Sequence, residues 1–250
     1  MMRRVGVALL MAMLACGRTG GPAHAEIAAA VVCPLPENLM LRDLSLPAAR
    51  AALERDGRLV ILSVGGAATA GDAAGDPVAT YPVRLQEYLT AALPGRSIVV
   101  LNRGNDRRIA AIQPKELASL IRDTGARLVI WATGAREAAR SADIDEYVAR
   151  LETGIEMIRK AGADLILLDM QYAPSIVRIV NFGPYRDALR GTAIARDVPL
   201  LPRFQMMQRW SDDGVLNLDV QSNEERRVVA RKLFACVAAA LAVPIAQAVR

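Results

Sequence analysis

The chain is poor in groups that could serve as a general base near neutral pH. In 250 residues it has one histidine, His24, and three lysines, Lys115, Lys160 and Lys232, and each lysine falls in a polar helical pattern that reads as solvated. Three cysteines, Cys16, Cys33 and Cys236, are too few for a disulfide-rich scaffold or a thiolate metal cluster. Aromatic residues make up only 4%, and none interleaves with a run of Lys or Arg, so the sequence gives no sign of a nucleic-acid surface despite a net charge of +5. The acids are scattered as well. Asp72 and Asp76 flank small residues and read as a solvated turn in preference to a calcium loop, so no metal is expected.

The N-terminus reads as an export signal. Met1 to Arg4 is short and positive, and Val5 to Ala15 is apolar but too short to cross a bilayer as a stable helix. Ala23-His24-Ala25 offers small residues for cleavage before Glu26. The protein is therefore expected outside the cytoplasm, in the periplasm or the extracellular space. In a second reading, Met13-Leu14-Ala15-Cys16-Gly17 is a lipoprotein signal, with residues 1–15 removed and a lipid on Cys16 holding the domain at a membrane surface without a transmembrane span.

Removing residues 1–25 takes away Arg3, Arg4 and Arg18 but no acid. This leaves 28 basic residues against 26 acidic ones, so the high pI says little about partners. The roughly 225 residues that remain suit one sizeable core. The expected division is residues 26–55 as an N-terminal extension and 56–250 as the domain. Cys33 and Cys236 are the mature chain's only thiols, and in an oxidising compartment they form either a disulfide or two separate buried thiols.

Four apolar runs, Arg58 to Val64, Ser97 to Asn102, Arg127 to Thr133 and Asp164 to Asp169, lack period-two alternation. This is the pattern of parallel strands covered on both faces. A weaker fifth is Val198 to Leu201. Helical patterns lie between them: near Pro82 to Leu93, near Pro114 to Arg122, and along Ile144, Tyr147, Val148, Leu151, Ile155 and Ile158 behind a Ser141 cap. A last helix is expected from about Asn223 to Ala242, with Val229, Leu233, Val237 and Leu241 inward. This order predicts a three-layer α/β/α sandwich on a doubly wound, parallel, five-stranded, flavodoxin-like sheet. Its functional crevice should lie at the strands' carboxyl ends.

Those ends carry Gly65-Gly66-Ala67-Ala68-Thr69-Ala70-Gly71, Asn102-Arg103-Gly104 and Thr133-Gly134-Ala135-Arg136. In order and spacing they resemble the conserved blocks of the SGNH/GDSL ester hydrolases, and the resemblance extends from about Cys33 to the C-terminus. It implies a nucleophilic serine in Gly-x-Ser-x-Thr after the first strand, but that position is Ala67. Asn102 to Gly104 is similar to the second block with its oxyanion-hole glycine. In the third block, Gly-x-Asn, Gly134 is kept while the asparagine position is Arg136. The closing Asp-x-x-His block has no counterpart: Trp210 to Asp219 runs almost directly into the last helix. Asp169 to Pro174 and Arg203 to Trp210 resemble non-catalytic segments of the family.

The expected site is therefore a ligand cradle of Gly65, Gly66, Ala67, Thr69, Asn102, Gly104, Gly134 and Arg136, with no catalytic residue and no cofactor. Ser63 is expected to point into the sheet, and Thr69 to bond the loop or cap its turn. The glycines fit neither Gly-x-Gly-x-x-Gly nor a Gly-Lys-Ser/Thr loop, which argues against nucleotides. Arg136, with Arg103, Arg107 and Arg108, suggests an anionic small molecule or an acylated glycan as ligand. Alternatively, these arginines pair with Asp72, Asp76, Asp106 or Glu137. The leading functional expectation is an inactive relative acting as a binding or accessory module in the cell envelope. The alternatives are an acyl or acetyl esterase of carbohydrate or lipid using non-standard residues, and a structural envelope protein.

Overall fold

The computed structural model describes residues 33–76, 78–104 and 114–250. The expected cleavage site, Cys16, Asp106, Arg107 and Arg108 lie outside the described residues. Five parallel strands, β1 (Arg58–Gly65), β2 (Ser97–Gly104), β3 (Leu128–Ala132), β4 (Asp164–Leu168) and β5 (Leu200–Leu201), form one sheet in the order β2-β1-β3-β4-β5. This is the doubly wound α/β sandwich that the apolar runs predict, with a switch in strand order between β1 and β3.

Both faces of the sheet are covered. Leu59 and Ile61 of β1 join Leu128, Ile130, Ile166 and Leu168 in one core, while Val60, Leu62 and Val64 join Val129, Trp131, Leu165 and Leu167 in the other. Because neighbouring residues of one strand are buried on opposite faces, the sequence reads as continuously apolar.

Among the described residues ten α-helices connect and cover the strands: α1 (Pro47–Asp56), α2 (Ala67–Ala70), α3 (Tyr81–Ala92), α4 (Pro114–Thr124), α5 (Ala135–Ala139), α6 (Ile144–Lys160), α7 (Pro174–Val177), α8 (Gly183–Ala195), α9 (Arg203–Asp212) and α10 (Asn223–Ala248). Two helix boundaries differ from expectation. The cap of α6 is Asp143, whose side chain accepts from Glu146 N at 2.9 Å. Ser141 instead occupies a turn at φ 49°. A carboxylate adjoining the first turn also faces the positive end of the helix dipole. At the other end of the chain, α10 passes through Pro244 and ends at Ala248, six residues beyond the expected stop. Pro244 removes one backbone donor, but Ala242, Pro244, Ile245 and Ala246 are buried in the domain, and that packing carries the helix onward. Leu233, Val237 and Leu241 face inward as expected, while Val229 is half-buried. The helix is long and apolar enough to cross a membrane, yet 56% of its most apolar window is buried within the domain, as in a core helix.

From Cys33 onward the segment ahead of β1 is part of the same core. Leu46, Ala49 and Leu53 are buried in it, Ala49 N donates to Asp164 Oδ2 at 2.9 Å, Arg50 reaches Ala248 O, and Trp210 Nε1 donates to Pro34 O at 3.0 Å. Of the two fates open to the thiols, the structure has the disulfide: Cys33 is joined to Cys236 on α10.

Candidate ligand cradle at the carboxyl ends of the strands

Parallel pairing brings the sequence-predicted residues of the first two blocks together. Gly65 ends β1 directly opposite Gly104 of β2, and Ser63 lies opposite Asn102. The chain leaves β1 through Gly66, the extended residue that opens α2, and Ala67 is the first residue of that short helix, its methyl exposed. Asn102 holds the turn from below. Its Nδ2 donates to Thr69 O at 3.0 Å, and its Oδ1 accepts from Gly104 N at 2.9 Å. The Gly104 amide is thereby bonded within the protein.

Gly104 is required by close approach. A Cβ there would stand 2.1 Å from Ala70 N and 2.5 Å from its Cα, so α2 would have to move. Gly104→Ala is expected to destabilise the fold by about 1–3 kcal/mol, read as a lower midpoint in chemical denaturation. An unchanged midpoint would show that α2 is not seated on β2 in this way.

Gly134 follows β3 at φ 89°, a left-handed conformation that favours glycine. A Cβ there would meet Met170 Cε at 2.2 Å and Tyr147 Oη at 2.8 Å. Arg136 is exposed on the first turn of α5 and already takes part in an interaction, and Arg103 Nη1 donates to Asn102 O at 3.3 Å.

Beneath the cradle lies a buried polar layer that sequence reasoning did not assemble. Ser63 points into the interior, as expected, and shares a 2.5 Å hydrogen bond with Tyr81 Oη. Thr69 departs from expectation: it caps nothing. Its Oγ1 is fully buried beside Tyr81, outside ordinary hydrogen-bond geometry. Asp169, 3% exposed just past β4, accepts from Met170 N at 2.7 Å and from Arg186 Nε at 3.3 Å. Burial pushes its carboxyl up, against the opposing pull of Arg186, the Met170 amide and Arg203. Arg203, 4% exposed at the start of α9, is pushed down by burial, with Tyr81 and Asp169 opposing. The one signal in the sequence was an acid, Asp169, closing an otherwise apolar run. Nothing local marks Arg203 as buried.

Burial also raises the phenols of Tyr81 and Tyr147. The folded state thus keeps protons that the unfolded chain releases, so their contribution is complete below the ordinary tyrosine value of 10.0 and is lost as pH rises beyond it. In an alkaline titration, the phenolate absorbance of these two among the chain's five tyrosines should appear only together with unfolding. Ionisation of all five in a folded protein would contradict this.

None of these hydroxyls has a serine-hydrolase base beside it. Ser63, Thr69 and Tyr81 bond or face one another, and no histidine stands among the described residues. Two clefts lie away from the cradle. One of about 300 Å³ sits at the strands' amino ends between Arg58, Val60, Thr124 and Arg127, and one of about 460 Å³ lies beside Val180, Phe182, Arg186 and Phe204. The first is far from any of the family's chemistry.

The sheet order and the glycine-lined turns at its carboxyl edge are those of the SGNH-hydrolase fold. The chain belongs to the non-GDSL lipase-like family, whose model matches residues 32–250. No curated protein sequence matches it. Among solved structures it is similar to TesA, at 20% identity and TM-score 0.50, covering 71% of this chain and 97% of that one. It is also similar to a variant of Axe2, an acetyl-xylooligosaccharide esterase from Geobacillus, at 16% identity and TM-score 0.50, covering 70% and 91%. A third is CEX, a two-domain esterase active on acetylated mannans, at 12% identity and TM-score 0.54, covering 80% of this chain and 55% of that one. At these identities the likeness is one of fold.

Proposed function

We propose that this protein is an exported, non-hydrolytic member of its family, a binding or accessory module of the cell envelope that keeps the scaffold of an ester hydrolase without its chemistry. The observation that carries this reading is Ala67: at the nucleophile position a bare methyl faces solvent, and an alkyl side chain can form no acyl-enzyme. Three further features support it. The third-block donor position holds Arg136, the Gly104 amide is bonded to Asn102, and the chain's sole histidine is His24 in the leader. Losing a triad member costs roughly 10⁴ in rate and an oxyanion donor roughly 10² to 10³, so their joint loss leaves no useful catalysis. The Cys33–Cys236 disulfide supports export, since such bonds persist in oxidising compartments.

Fold neighbours that are esterases favour a second reading, hydrolysis through other residues. The two readings separate in an assay of the purified mature protein on activated acetyl and longer acyl esters and on acetylated xylo- and manno-oligosaccharides. The rate is expected to equal that of buffer, for the protein and for Ala67→Ser alike, because a restored hydroxyl still has no base. Saturable hydrolysis by the unaltered protein would overturn the proposal.

A further inference from the structure

At the edge of the sheet opposite the Ala67 turn, a cleft of about 300 Å³ opens where α1 and α4 end and β1 and β3 begin. Three arginines line it, Arg55, Arg58 and Arg127, against one carboxylate, Asp56. Parallel pairing gathers them: Arg58 is the first residue of β1, and Arg127, just ahead of β3, donates its backbone N–H to Val60 O at 2.9 Å. Asp56 is already taken. Arg55 Nε and Nη2 donate to its two oxygens at 2.9 and 2.6 Å, so that pair is neutral. Two cations remain. Arg58 has no hydrogen-bond or ion-pair partner among the described residues, and Arg127 spends only one side-chain donor, Nη1, on Gly162 O at 3.3 Å.

The helices that end at the cleft do not need these charges to close them. On α1, Leu53 O accepts from Gly57 N and from Arg96 Nη1. On α4, Leu120 O accepts from Thr124 Oγ1, Ile121 O from Ala126 N, and Arg122 O from Gly125 N. With those carbonyls satisfied by other groups, the donors of Arg58 and Arg127 are left for something outside the chain.

We infer that this cleft binds the phosphate group of a soluble phosphorylated small molecule. Two guanidinium groups balance a phosphate dianion, and the planar fork of arginine matches two phosphate oxygens at once. The volume is at the lower end of small-molecule sites and leaves room beyond the phosphate for part of the molecule that carries it. A lipid headgroup is the poorer match: no exposed large apolar side chain lines the cleft, so nothing there would enter a bilayer beside the phosphate. The site shares no residue with the Ala67 cradle, and the inference holds whether or not the protein hydrolyses esters.

Titration calorimetry of the mature protein with inorganic phosphate and glucose phosphate, against glucose and acetate at matched ionic strength, tests it, together with co-sedimentation with vesicles containing phosphatidic acid. Both phosphates are expected to bind saturably, glucose phosphate at least as tightly as inorganic phosphate, with glucose and acetate near baseline and no protein carried down by the vesicles. Arg58→Gln is expected to weaken phosphate binding roughly 10-fold, the effect of losing a hydrogen bond to a charged group. It should melt with the parent in phosphate-free buffer, because Arg58 has no partner to lose. Arg127→Gln should weaken binding in the same direction. Arg122→Gln removes the same charge from the exposed last turn of α4, outside the cleft, and should bind as the parent does. Absence of saturable phosphate binding, binding to the vesicles but not to the soluble phosphates, undiminished binding by Arg58→Gln, or an equal loss in Arg122→Gln would each overturn the inference. Because these readouts measure binding and not turnover, they fail independently of the hydrolysis assay.

Discussion

Replacing Cys33 with serine is expected to lower the unfolding free energy by about 4 to 5 kcal/mol, a large share of the roughly 5 to 15 kcal/mol that holds a domain of this kind folded. The disulfide joins residues 203 positions apart, from the start of the described chain to α10, so it closes a very long loop in the unfolded state. In the folded state it ties the arm ahead of α1 to the helix that fills one face of the sheet. The Trp210 bond to Pro34 O and the Arg50 bonds to Ala248 O act across the same seam, and without the covalent link they would have to hold the arm alone. Denaturant unfolding of the parent, the variant and the reduced parent measures the effect. The last two should coincide, well below the parent. A variant as stable as the parent would mean that the arm contributes little to the fold.

The second large effect is expected at Asp169. Asp169→Ala removes the carboxylate that pairs with Arg186 and leaves that half-buried guanidinium and the buried Arg203 without it, at a cost of about 3 kcal/mol. The loss should be partly recovered in Asp169→Ala/Arg186→Met, because the cation that ion-pairs with Asp169 is removed while Arg203 stays in place. The four proteins of this cycle, compared by urea denaturation, give the coupling directly. Equal stabilities for the single and double variants would show that Asp169 acts through its bond to Met170 N and not through charge.

The sheet was legible because every strand is covered on both faces, which turns burial into uninterrupted Val, Ile and Leu that no other element of this length explains. The glycines at the carboxyl ends were legible for a related reason: Gly104 and Gly134 sit where backbone or neighbouring side chains come too close for a Cβ, and such positions tolerate little else. The sequence was a poor guide where tertiary packing overrides a local rule. Pro244 reads as a stop, yet α10 continues through it on the strength of its buried face. Ser141 reads as a cap, yet the turn that contains it places Asp143 at the helix entrance. The polar layer beneath the cradle was invisible because its members are joined by folding alone. Asp169, Arg186 and Arg203 lie on three elements, and an arginine at a helix start looks the same in sequence whether it faces water or the core.

The account rests on the absence of an activated hydroxyl at the carboxyl edge of the sheet, and covalent labelling reads this directly. After exposure of the mature protein to an activated alkylphosphonate ester, which captures hydrolase serines irreversibly, intact-mass spectrometry should show the unmodified mass. A single stoichiometric adduct, mapped to Ser63, Thr69 or any other hydroxyl around Ala67, would contradict the account and identify the residue that performs the chemistry.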